Sequence, residues 1–142
     1  MVTKQKEGTV MTFDIRQGIL YSVIPDKKQT EIILPNDVEA VWFDAFELCQ
    51  NIESIIINEG AKYIKGGAFL ECTSLKKVYI PQSVQKIHVF DENYIRNCQL
   101  SGSKGGYSEF RNALYGFMVI GEKGSFAEKY CTHFEIPFKA NI

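Results

Sequence analysis

The stretch Cys72-Thr-Ser-Leu75-Lys-Lys-Val78-Tyr-Ile80-Pro81-Gln-Ser-Val84-Gln-Lys-Ile87 decides the fold, because its apolar positions return at a fixed step. Moving back 23 residues from Val78, Ile80, Val84 and Ile87 reaches Ile55, Ile57, Ala61 and Ile64. The same step again reaches Ile32, Leu34, Val38 and Val41. Ala45-Phe46 returns as Ala68-Phe69, Cys49 as Cys72, and Ile52 as Leu75. Self-similarity at such a period is the signature of a solenoid, in which one unit buries its apolar face only by stacking on the next.

Within a unit the pattern changes character. Val78 and Ile80 alternate, as one face of a short strand requires, and so do Ile55 and Ile57. Pro35 and Pro81 then end the strand, since proline has no N–H to give to a ladder. Phe69 and Cys72 stand three apart, which predicts a short turn of α- or 3₁₀-helix there. The third unit loses register after Ile87. Tyr94-Ile95 and Cys98 fit the Ala-Phe and Cys columns only with three extra residues.

Both flanks read as caps. Val10, Thr12 and Asp14 alternate with Met11, Phe13 and Ile15. Gln17-Gly18 then offers a turn before a second strand, 19–24, so a β-hairpin covers the first coil. Near the other end Ser125 with Glu128 forms a capping-box signature. Phe126, Tyr130 and Phe134 follow on one face of a short helix that Pro137 stops. An open solenoid end would expose core, so such caps are expected. Ser101 to Gly106 reads as a flexible surface loop.

The pattern xLxxVxIPxxVxxIxxxAFxxCxxL resembles the BspA-type leucine-rich repeat. Gly18-Ile-Leu-Tyr-Ser22 is similar to the hairpins between such repeats. Gly121 to Tyr130 with Ile136-Pro137-Phe138 resembles the segment that closes these arrays. The resemblance covers about residues 18–100 and 116–138. It implies an α/β repeat: a short right-handed leucine-rich-repeat solenoid with a parallel sheet, one strand per coil, and an irregular or weakly helical opposite side. The N-terminal β-hairpin and the C-terminal helix cap it. The expected organisation is one domain, with a cap hairpin over 1–31, repeats over 32–100, an irregular loop over 101–115 and a C-terminal cap over 116–142. The resemblance also implies a role in protein–protein contact and bacterial adhesion, often at cell surfaces.

Composition narrows the function classes. The 142 residues are 45% hydrophobic and 13% aromatic, enough for a core. Sixteen Lys and Arg against seventeen Asp and Glu leave a formal charge of −1. That balance supplies no field for nucleic acid. No apolar run approaches the roughly 18 residues of a membrane span. The start, from Met1 to Gly8, has no hydrophobic segment of a secretory signal. The expectation is a cytoplasmic chain, or a cell-surface or secreted one if the sequence is a trimmed form. Cys49, Cys72, Cys98 and Cys131 show no paired spacing for zinc and read as buried free thiols. No metal and no cofactor are expected.

No motif carries catalysis, so the chain reads as a non-enzyme. Gly102 to Gly106 and Gly121 to Ser125 fit neither glycine-rich phosphate-binding pattern. Cys131 and His133 point to different sides of a helix. His88 reads as a surface histidine and Asp91-Glu92 as a solvated acidic pair.

Strand alternation instead singles out a face. If Ile32, Ile55 and Val78 point inward, Ile33, Ile56 and Tyr79 point outward and stack in one column, at about 4.8 Å per coil. Glu31, Ser54 and Lys77 form a second outward column. An apolar ridge on an exposed sheet marks a contact surface, although β-branched and aromatic residues also serve simply as strand formers. These six residues are the candidate partner-binding set. The leading expectation is noncatalytic binding of a protein partner through the sheet face. The alternative is an assembly role through homo-oligomerisation.

Overall fold

The computed structural model describes residues 2–6, 9–103 and 105–141. Met1, Glu7, Gly8, Lys104 and Ile142 fall outside the described residues, as do the side chains of residues 2–10, Val10 included.

The N-terminal cap is a three-stranded antiparallel meander, one strand more than the hairpin read from sequence. Its strands are β1 (Val2–Lys6), β2 (Thr9–Arg16) and β3 (Ile19–Ile24). Gln17 and Gly18, at φ 52° and 80°, supply the two positive dihedrals that a tight two-residue hairpin turn needs. Met11, Phe13, Leu20 and Val23 are buried.

Each following coil contributes two strands, not one. The expected ladder is β4 (Glu31–Ile33), β6 (Ser54–Ile56) and β8 (Lys77–Tyr79), all parallel. A second parallel ladder, β5 (Ala40–Val41), β7 (Tyr63–Ile64) and β9 (Lys86–Ile87), continues from β3. It was not legible in sequence because a two-residue strand has a single inward side chain, too few for a period of two to appear. The third side of each coil is neither continuous helix nor unstructured. It is a run of turns closed three residues apart, such as Ala45 N–H to Trp42 O (3.2 Å) and Cys72 N–H to Phe69 O (3.0 Å).

The repeat columns form the core. Ile32, Val38, Val41, Cys49, Ile52, Ile55, Ile57, Ala61, Ile64, Cys72, Leu75, Val78, Ile80 and Ile87 have no exposed surface. Asn58 takes the place that Pro35 and Pro81 hold in the other coils, and it stitches two coils together. Its side-chain Nδ2 donates to Val38 O at 2.8 Å, across 20 residues of sequence.

After β9 the register departs from the sequence reading. Residues 92–101 form helix α1 (Glu92–Ser101), which begins at N-cap Asp91 and carries Tyr94, Ile95 and Cys98. The Phe column is not continued by Tyr94-Ile95 but by Phe110. Phe46 stacks on Phe69 at 5.1 Å, and Phe69 meets Phe110 at 4.8 Å. Phe110 lies 41 residues after Phe69, and Val119 lies 41 after Val78, its ladder partner. The third coil therefore holds an 18-residue insertion upstream of Phe110 and then resumes the repeat. The end of the insertion is tied down by Glu109, whose buried carboxylate accepts from Gly67 N–H at 2.6 Å, and the resumed coil by Asn112, which donates to Leu70 O at 2.9 Å.

Strand β10 (Met118–Gly121) joins β8, helix α2 (Phe126–Phe134) crosses back, and β11 (Phe138–Ala140) joins β10, all in parallel. Ser125 Oγ accepts from Glu128 N–H, and the Glu128 carboxylate accepts from Gly124 N–H at 2.7 Å, a capping box displaced by one residue. Phe126, Tyr130 and Cys131 close the core as expected. The two sheets run β1-β2-β3-β5-β7-β9 and β11-β10-β8-β6-β4.

Candidate functional site

The outward face of the five-stranded sheet is fixed by register. Glu31 pairs with Ser54 and Ser54 with Lys77, making one row across three strands. Ile33, Ile56 and Tyr79 make the next row, and Ile120 of β10 extends it. Ile120 was not legible in sequence because the 18-residue insertion hides its place in the repeat.

These rows enclose a shallow cleft of about 360 Å³, lined by Glu31, Ser54, Ile56, Lys77, Tyr79, Ile120 and Asn141. Five of the six anticipated residues line it. Ile33, 40% exposed, stands outside the lining. The face is thus a cleft rather than a ridge. Its two anticipated columns are not uniformly exposed either. Lys77 is exposed and Glu31, Ile56 and Tyr79 are half-buried, but Ser54 is only 9% exposed. The reason is size: a serine between two long side chains one ladder step away on each side lies beneath them. Asn141, from the C-terminal tail, could not have been placed without β11.

The Tyr79 hydroxyl donates to the Glu59 carboxylate at 3.2 Å. Burial raises the Tyr79 pKa first, and its hydrogen bond to Glu59 raises it further. The phenol is therefore neutral and remains a donor at neutral pH. Among the described residues, Glu31 and Lys77 belong to no ion pair, whereas Glu53 and Lys76 beside them pair at 3.0 Å.

The other candidate chemistry is dispersed. Cys49 and Cys72 are buried in adjacent coils, and burial pushes the Cys72 thiol up to about 12. Cys131 is buried and likewise pushed up to about 12. His133 packs against Phe90 at 5.5 Å instead of facing solvent. His88 is exposed, in a turn with φ 57°. Asp91 and Glu92 are helix-start residues: Asp91 caps α1 and Glu92 pairs with Lys129 at 2.6 Å. Gly121 ends β10 and Gly124 precedes the α2 cap. Among the described residues no group of three or more His, Cys, Asp or Glu is placed to hold a metal ion, and no helix is long and apolar enough to cross a membrane.

Stacked 23-residue coils with paired short ladders define a leucine-rich-repeat protein. A family model described as BspA type Leucine rich repeat region (6 copies) matches residues 22–112, and the chain belongs to that family. The match runs through α1 and Phe110. No curated protein matches the chain.

Proposed function

We propose that this chain is a noncatalytic interaction module that binds a macromolecular partner through the outward face of its five-stranded sheet. The family generally mediates protein–protein interaction, which supports the class. The observation that carries the face is the cleft, where Ile56, Tyr79 and Ile120 present apolar surface beside the polar Glu31, Ser54, Lys77 and Asn141. An apolar centre with a polar rim is the anatomy of protein interfaces, and Tyr is enriched at their hot spots. The coils wind right-handed in this reading, as parallel crossovers nearly always do. The setting is a protein partner, with adhesion at a cell surface as the family-level context.

The test compares capture by the wild-type chain with capture by Ile56→Ser/Tyr79→Ser. Both residues are half-buried, so a cost of about 1 kcal/mol each is expected, and the variant remains folded. Loss of capture with an intact unfolding transition supports the face. Capture retained at wild-type level by the folded variant rejects it.

A further inference from the structure

We propose that the partner of this sheet face is a second copy of the chain, docked over β4, β6 and β8 about a two-fold axis that runs along β6. The proposal rests on the sheet-face reading and names its partner.

The outward faces of β4, β6 and β8 are self-complementary about that axis. Strand β6 has β4 on one side and β8 on the other. A two-fold axis lying in the face along β6 carries β4 of one copy over β8 of the other, and β6 over β6. In the first row, Glu31 then meets the second copy's Lys77, and Lys77 meets the second copy's Glu31. Ser54 faces Ser54. In the second row, Ile56 faces Ile56, and Ile33 faces the second copy's Tyr79 twice. An isologous contact requires that each group find its complement under this operation, and in both rows the residues of β4, β6 and β8 satisfy it, while Met118 and Ile120 of β10 lie beyond the overlap. The sheets pack aligned, as two β-faces commonly do.

Three further observations favour a copy over an unrelated protein. Glu31 and Lys77 have no ion-pair partner among the described residues, so both charges are available. Glu53, close to the axis, is already neutralised by Lys76 at 3.0 Å. A net charge of −1 leaves little repulsion between copies.

The face is small. The axis along β6 overlaps three strands, which at about 4.8 Å apart and about 10 Å long span roughly 10 Å by 10 Å. That is below the roughly 800 Å² per partner of a standard stable interface, so the dimer is weak and concentration-dependent.

Sedimentation velocity from about 20 µM to about 1 mM tests it, since a small interface populates in that range. The wild-type chain should sediment faster as concentration rises. Glu31→Lys and Lys77→Glu should each weaken association about tenfold or more, because two symmetric attractions become two repulsions. An equimolar mixture of the two variants should associate, since one face is then doubly basic and the other doubly acidic. The double variant Glu31→Lys/Lys77→Glu should recover wild-type association. Near-UV circular dichroism confirms that each variant is folded. A wild-type chain that stays monomeric throughout overturns the proposal, as does association that ignores both charge reversals. If the chain stays monomeric yet Ile56→Ser/Tyr79→Ser still abolishes capture of another protein, the second copy is rejected while the sheet-face reading stands.

Discussion

Replacing Phe110 by Ala tests where the third coil resumes. Phe110 is 5% exposed and sits at the meeting point of four rings, within 4.8 Å of Phe69, 5.0 Å of Phe117 and 6.4 Å of Tyr130 by centroid. Truncation removes a buried ring and leaves a cavity whose walls are held by two coils and α2, so it cannot collapse fully. The expected cost is about 3–5 kcal/mol. With a urea slope of about 2 kcal/mol per molar for a chain of this size, the midpoint should fall by about 2 M. Tyr94 is the control, because sequence register alone would place it near this column. It is 38% exposed and meets the core through an edge contact with Phe90 at 5.0 Å. Tyr94→Ala should cost about 1 kcal/mol. Urea melts followed by circular dichroism give both values. A loss below about 1.5 kcal/mol for Phe110→Ala, or a larger loss for Tyr94→Ala, would refute the 18-residue insertion and the aromatic column built on it.

Ile57, fully buried in a central coil, supports a neighbour on each side; Ile57→Ala should cost about 2–5 kcal/mol in the same melts. Ser125→Ala removes the acceptor for Glu128 N–H at the start of α2 and should lower stability by about 0.5–2 kcal/mol, read as a drop in thermal midpoint. Burial raises the Cys49, Cys72 and Cys131 thiols, with Cys72 and Cys131 at about 12 from an ordinary 9.0. The folded state holds these protons and the unfolded state releases them. Their stabilisation is therefore complete below about pH 9 and drains away as pH rises toward 12, at about 1.4 kcal/mol per pH unit for each thiol. Cooperative unfolding in that window is expected, shifted upward by Cys72→Ala, and a pH-independent melt from 9 to 11 would contradict it. The same burial means that a thiol reagent should label Cys49 and Cys72 slowly in the native state and rapidly in denaturant.

The repeat columns were legible because burial in a solenoid is periodic in sequence. Once Ile32, Ile55 and Val78 share a step, their inward direction and the outward direction of Ile33, Ile56 and Tyr79 follow from alternation. The α2 cap was legible for a similar reason, since Ser125 and Glu128 state the start of the helix and Pro137 states its limit. A signal for the resumed coil was present too. Phe110, Ala113 and Val119 repeat the spacing of Phe69, Cys72 and Val78. It was obscured because Tyr94, Ile95 and Cys98 offered a nearer match of the right chemistry.

What the chain alone determined was therefore the period, the inward set and the direction of the candidate face, because each depends on local alternation and a constant step. What only the tertiary structure decided was how residues without that step come together. The second ladder exists because adjacent coils pair backbone to backbone at positions whose side chains carry no pattern. The insertion and the resumed coil pack because Glu109 and Asn112 reach backbone groups 42 residues away. The cleft closes because Ile120 and Asn141 arrive from beyond that insertion and lie beside Tyr79. Long-range hydrogen bonding and ring packing have no fixed separation in sequence, so their partners are settled only when the coils stack.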